Sequence, residues 1–327
     1  MPLPRRALAA ATAAALAAPA LARAQGGEWP AARPIEVIVP FPPGGGVDTM
    51  TRAILPAVQK HLPGARFVVV NRPGAAGQIG WEAAFHAAPD GYTLAATSVP
   101  ALVTYPIERQ TRYRAAEFSF IANVVDDPGG LFVAAASPLR TLADLVAAAK
   151  ARPGAVSYGS TGVGSDDHLL VIAFEEAAGI RPPMNHVPFN GMAPEAAALL
   201  GGHIDVGAFN MSEGLALLRD GKIRGLGQAA ARRWAQTSEV PTFREQGFDV
   251  ISGAQRGFVA PPRLPAAIQA RLEDAFAKAL SDPDFVREAE RLGLPLAPQI
   301  GAAYRAEIES AERALRALWQ RRPWREG

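Results

Sequence analysis

The sequence contains no cysteine. That excludes disulfides, thiolate metal sites and cysteine nucleophiles. Histidine is scarce as well. His61, His86, His168, His186 and His203 form no H-x-x-x-H pair, so no metal site is expected. Beyond residue 24 no stretch is apolar for 18 residues, so no later membrane-spanning helix is expected. Basic runs are also missing. The formal net charge is +2, and residues 1–24 hold Arg5, Arg6 and Arg23 but no acid, so without them it becomes −1. A near-neutral chain of this kind argues against nucleic acid or an anionic membrane as partner.

Residues 1–24 read as a secretory signal peptide: a basic start, an Ala/Leu run to Leu21, and Ala22-Arg23-Ala24 as cleavage site. Ordinary secretion fits its flanks better than twin-arginine export. Periplasmic location is the resulting expectation. The remainder is long enough for an ample core without disulfides, split into two domains.

Strand–helix alternation is legible along the chain. Ile35-Glu36-Val37-Ile38-Val39, Phe67-Val68-Val69-Val70 and Tyr92-Thr93-Leu94-Ala95-Ala96 read as strands, with helices over 49–62 and 79–88 between them. A second set begins near Leu131, and the sequence predicts helices over 266–280, 283–292 and 300–319. Repeated β-then-α units imply an α/β fold with mainly parallel sheets flanked by helices. The break between the sets is expected at Asp126-Asp127-Pro128-Gly129-Gly130, and a second between Pro241 and Gly253. The domain division is therefore 25–127 with 252–327 as one lobe and 128–251 as the other. Two crossings of this kind suit a hinge.

Two glycine-rich turns stand out. Pro42-Pro43-Gly44-Gly45-Gly46-Val47-Asp48 follows the first strand. Gly159-Ser160-Thr161-Gly162-Val163-Gly164-Ser165 follows the short strand Ala155 to Tyr158. Each precedes a helix. A helix start leaves about four amides unpaired and carries roughly half a positive charge, and glycine lets an anion approach that backbone. Two such ends can grip one anion from both sides.

The motifs now carry a resemblance. Pro40-Phe41-Pro42-Pro43-Gly44-Gly45-Gly46-Val47-Asp48 resembles the P-F-x-x-G-G-x-x-D segment of the tripartite tricarboxylate transporter substrate-binding proteins, the Bug family. Asn71 to Gly80 is similar to that family's N-R-P-G-A-G-G-x-I-G, and Pro89-Asp90-Gly91-Tyr92-Thr93-Leu94 to its P-D-G-Y-T-L. Ser160 to Ser165 with His168-Leu169 resembles S-x-G-x-G-S-x-x-H-L. Val187-Pro188-Phe189-Asn190-Gly191 and Gly201-Gly202-His203-Ile204-Asp205 resemble V-P-Y-x-G and G-G-x-V-D. Each motif alone is weak, whereas six in register are specific. Gln78, Phe189 and the stretch Gly253-Ala254-Gln255-Arg256-Gly257-Phe258 depart from the usual pattern.

The resemblance implies a two-lobed periplasmic binding protein of type II. It would bind a small organic acid and deliver it to membrane permease subunits. A ligand-presenting partner of a membrane sensor is an alternative that sequence leaves open. Phe41, Pro42, Gly44, Gly45, Val47 and Asp48 are expected at the cleft from the first lobe, with Thr97 and Ser98. Ser160, Thr161, Gly162, Gly164, Ser165, His168, Phe189, Asn190, Phe209 and Asn210 are expected from the second. Backbone amides and hydroxyls would bind the carboxylate without a buried arginine, and Arg256 is expected in a surface salt bridge, with reach into the cleft as the alternative. Asp48 and Ser165 are expected as N-caps, and His168 as a turn-fixing group. No cofactor or metal is implied, and a monomer is expected.

Catalysis is the main rival. Ser165 and His168 lie three apart on one predicted helix, without a G-x-S-x-G elbow. The first glycine turn also lacks the G-K-[ST] ending of a phosphate loop. The chain is therefore not read as an enzyme.

Overall fold

The computed structural model describes residues 29–324; the expected signal peptide lies outside the described residues. The chain begins with β1 (Ile35–Val39), α1 (Gly46–His61), β2 (Phe67–Asn71), α2 (Gln78–Phe85), β3 (Thr93–Ala96) and α3 (Ala101–Glu108). A 16-residue strand, β4 (Ser119–Ala134), leads to α4 (Leu142–Ala151), β5 (Ser157–Ser160) and α5 (Asp166–Ala178). Then come β6 (Asn185–Pro188), α6 (Met192–Leu200), β7 (Val206–Asn210), α7 (Met211–Arg219) and β8 (Ile223–Gln228). Last are β9 (Gly253–Ala260), α8 (Ala266–Leu280), α9 (Pro283–Leu292), β10 (Leu296–Ile300) and α10 (Ala302–Arg321).

Strand side chains alternate between faces, and both faces of the central strands are covered. Ile35, Val37 and Val39 pack with Ile54 and Val58 of α1 and Phe276 of α8. Ile38 points the other way, toward Trp81 of α2, Leu102 of α3 and Tyr304 of α10. In the second lobe Leu131 and Val133 face Leu145 and Phe174, while Phe132 faces Leu199 and Phe209. Burial on both faces is why these strands read as continuous apolar runs.

The strand order is β2-β1-β3-β9-β4-β7-β5-β6, with β8 and β10 also paired to β4. β1 runs parallel to β2 and β3, and β5 runs parallel to β6 and β7. The antiparallel strands β4 and β9 join the two parallel sets. β4 pairs with β9 as far as Pro128↔Gly253, then with β7 from Gly129↔Asn210. The glycine–proline segment that reads as a break is therefore continuous strand, within which the pairing partner changes from β9 to β7.

Two other boundaries differ from the sequence reading. Gln299 and Ile300 belong to β10, paired to Asn123 and Ala122, and the last helix starts after Gly301. The first helix starts at Gly46 rather than Thr49. After α10 the tail packs between α5 of the second lobe and α3 of the first. Arg322 donates to the Ile172 carbonyl (3.0 Å) and Glu175 (2.6 Å), and Trp324 Nε1 donates to Glu108 Oε2 (3.1 Å).

Candidate ligand-binding site

Both glycine turns lie where the lobes meet. The first follows β1 and opens α1, with Gly45 as N-cap and no side-chain cap. Asp48 is not the cap that sequence suggests, because Gly46 and Val47 already adopt helical backbone. Its carboxylate accepts from the Gly44 amide (3.0 Å), Arg52 Nε (3.0 Å) and Asn71 Nδ2 (2.9 Å) and so ties down the turn. Burial pushes its pKa up, but the bonds from Arg52, Gly44 and Asn71 outweigh this and leave it lowered. The Gly46 amide crosses to the other lobe and donates to Glu213 Oε1 (3.4 Å).

The second turn follows β5. Ser165 caps α5 as expected, its Oγ accepting from the His168 amide (3.2 Å). The Gly164 amide donates to His168 Nδ1 (3.1 Å), which places that imidazole's proton on Nε2. His168 stacks on His186 at 4.1 Å between centroids, and His186 Nε2 meets Ser160 Oγ at 2.6 Å. Desolvation, with His186 and Arg322 nearby, lowers the His168 pKa to about 3, so the ring is neutral. The hydroxyl of Thr104 on α3 donates to the Gly164 carbonyl (2.8 Å), tying this turn to the first lobe.

Arg256 sits at the centre, contrary to the surface salt bridge expected for it. On β9 it is 3% exposed. Nη1 donates to Asp127 Oδ2 (2.6 Å), Nη2 donates to Asn210 Oδ1 (2.7 Å), and Glu213 Oε1 lies 3.5 Å away. Burial alone would lower its pKa. The carboxylates of Asp127, Glu213 and Asp166 more than reverse that, so it stays charged. Asp127 also accepts from the Ser212 amide (3.1 Å) and hydroxyl. Asn210 donates to the Asp127 carbonyl (3.1 Å) and to Asp166 Oδ2 (2.8 Å). Gly46 is needed by space: a Cβ there would lie 2.6 Å from Arg256 Nη1.

A buried arginine thus stands at the junction where sequence reading expects amides and hydroxyls alone. Asp127, Asp166 and Glu213 face it, and sequence reading places none of them at the ligand. First-turn acids read as ordinary helix-dipole partners, and Asp127 lies 129 residues from Arg256.

The remaining expected residues separate into groups. Pro42, Gly44 and Gly45 are exposed, Val47 is buried, and Phe41 packs edge-on against Trp81. Thr97 is fully buried, bonded to Tyr304 and to the Gly257 amide, and Ser98 is buried after β3. Ser160 is buried too, bonded to His186 and both to and from Gly162. Thr161 donates through its hydroxyl to Asp167. Phe189 is half-buried, Asn190 is exposed, and a Cβ at Gly44, Gly162 or Gly191 would meet nothing within 4 Å. Phe209 does not reach the cleft. It stacks on Phe132 at 4.2 Å within the second-lobe core.

Comparison with known proteins gives one consistent result. Residues 50–299 match the profile described as "Tripartite tricarboxylate transporter family receptor". A Cupriavidus necator protein, "UPF0065 protein in gbd 5'region", is 31% identical over 317 residues, covering 95% of this chain and 94% of its own. The crystal structure of a TctC solute binding protein from Polaromonas is 34% identical with a TM-score of 0.72, covering 90% of this chain and all of that one. A Rhodopseudomonas palustris protein solved with adipate is 27% identical with a TM-score of 0.79, over 90% and 97% of the two chains.

Proposed function

This chain belongs to the tripartite tricarboxylate transporter receptor family, and we propose that it captures a small organic acid between two closing lobes. Its relatives are solute-binding receptors rather than enzymes. Receptors of this family are periplasmic, and that location is proposed here, with delivery of the acid to the family's membrane permease subunits. The lobes divide at 127/128 and 251/252, and the protein acts as a monomer.

One observation carries the reading. Each glycine turn contacts the opposite lobe, the first through Gly46 to Glu213 and the second through Gly164 to Thr104. Helix starts then border the closed junction from both sides, and their amides favour an anion. Adipate in the R. palustris neighbour supports a carboxylate ligand.

Native mass spectrometry of purified protein, followed by calorimetric titration with aliphatic acids, tests this. Stoichiometric retention of an unchanged acid with a decrease in radius of gyration supports it. Turnover of the acid, or binding without compaction, refutes it.

A further inference from the structure

The last helix touches both lobes. At 20 residues α10 is about 30 Å long. Its first turns are anchored in the first lobe. Tyr304 and Ile308 are fully buried with Leu102 of α3, and the Tyr304 hydroxyl meets Thr97 Oγ1 at 2.7 Å. Its last turns pack Leu315, Leu318 and Trp319 with Leu169 and Ile172 of α5 in the second lobe. Pro323 then prevents the helix from continuing, and Arg322 before it leaves helical backbone at φ −146 and ψ 87.

The turn at Pro323 delivers Trp324 between the lobes. The indole is 1% exposed, packed with Leu169 and Ile172 of α5 and with Ile107 of α3, and edge-on to Trp319 at 4.6 Å. Its Nε1 donates to Glu108 Oε2 on α3 (3.1 Å). Gly164 of the second glycine turn lies against both partners. A Cβ there would come within 2.8 Å of Glu108 Oε2 and 3.1 Å of Trp324 Nε1. One turn earlier on the same face of α3, Thr104 holds the Gly164 carbonyl at 2.8 Å. Arg322 fixes the strap to α5 through the Ile172 carbonyl and Glu175.

We infer that Trp324 is a positioning residue for the second glycine turn, and that through Glu108 it straps the two lobes together. The inference rests on the closing-lobe reading above and adds a crossing to those made by β4 and β9. Those two strands cross at the centre of the sheet. The strap crosses beside the turn itself, where α3 and α5 meet. Parting α3 from α5 uncovers the indole and breaks its bond to Glu108. Both losses favour the closed arrangement, because apolar surface and a carboxylate acceptor are better satisfied there. The ligand-free chain is therefore biased toward closure. An incoming solute finds fewer open molecules, and one already held leaves more slowly.

The test is hydrogen–deuterium exchange of the full mature protein without ligand, read by mass spectrometry, with X-ray scattering alongside. A hydrogen bond to a charged group is worth about ten- to a hundredfold in an equilibrium constant. Trp324→Ala therefore speeds exchange at least tenfold in the segments 162–168 and 101–108, and raises the radius of gyration. Helix α8, which packs on α1 and β4, keeps its wild-type exchange and serves as the internal control. Trp324→Phe, which keeps a ring in the cluster but not the donor, restores part of the protection. Glu108→Gln leaves the packing intact and speeds the same two segments at least threefold, so it decides the matter if Trp324→Ala does not fold. Unchanged exchange in Glu108→Gln and in Trp324→Ala overturns the inference, as does an equal rise in α8, which marks general destabilisation. Compaction of the wild type by an acid, with no loosening in either variant, leaves the receptor reading standing without the strap.

Discussion

Arg256→Met is the sharpest perturbation of this structure. The guanidinium is 3% exposed and holds Asp127 through Nη1 at 2.6 Å and Asn210 through Nη2 at 2.7 Å. Methionine fills much of the volume but removes the charge. Asp127, 0% exposed, keeps only Ser212 as donor. Breaking one side of a buried pair costs about 3–5 kcal/mol. At about 2 °C per kcal/mol for a chain of this size, that lowers the melting temperature by about 6–10 °C. The loss follows from the stranded carboxylate, so Asp127→Asn in the same chain restores part of it. The cycle yields a coupling of about 0.5–3 kcal/mol. Urea denaturation followed by circular dichroism at neutral pH measures both. A loss below about 1 kcal/mol would mean that water reaches the pair as it reaches a surface salt bridge, which refutes a buried junction.

Four further outcomes follow from other sites. Gly46→Ala drives a Cβ into a guanidinium pinned at both ends, so X-ray scattering detects a more open molecule and ligand affinity drops at least tenfold. Ser165→Ala removes the bond to the His168 amide and costs about 1 kcal/mol of stability, read by thermal melting. Gly162 sits at φ +134 with open space where a Cβ would go; Gly162→Val therefore weakens binding through backbone strain rather than collision, and Gly162→Ala does so nearly as much in the same titration. Asp282, bonded by Lys60, the Asp284 amide and His61, has its pKa lowered to about 2. Because that lies below its unfolded value of about 3.9, its contribution is present above pH about 4 and disappears as pH falls through 2. Urea titrations of wild type and Asp282→Asn differ at pH 6 and converge near pH 2; a constant gap across that range rules out the assignment.

Local patterns made the α/β units legible. The helices at 266–280 and 283–292 coincide with α8 and α9, whose amphipathic spacing and Asp282-Pro283 start are local signals. Ser165 reads as a cap for the same reason. The failures share a different origin. Asp126 to Gly130 carries turn residues, yet pairing with β9 and then β7 holds it extended, so tertiary context overrides propensity. Arg256 looks like any surface arginine, because Asp127 and Asn210 are brought to it by strands 129 and 46 residues away. Helix α3 is not legible, because its start at Ala101 follows Pro100 directly. Asp48 reads as a cap because the helix start lies only three residues earlier than its pattern suggests. Phe209 fits the expected distance from a strand end, but its stacking on Phe132 is decided by the facing strand.

The strand order has a consequence for the birth of the molecule. β3 and β4 are separated by a slot that only β9 fills, and β9 lies far along the chain. A polypeptide emerging amino-terminus first exposes two unsatisfied strand edges until residues 253–260 arrive. The second lobe, being nearly contiguous, has no such wait apart from its shared strand. Nascent molecules therefore carry a finished half and an unfinished half side by side. Protection of the incomplete edge, rather than the intrinsic speed of either lobe, sets how much chain reaches the native state.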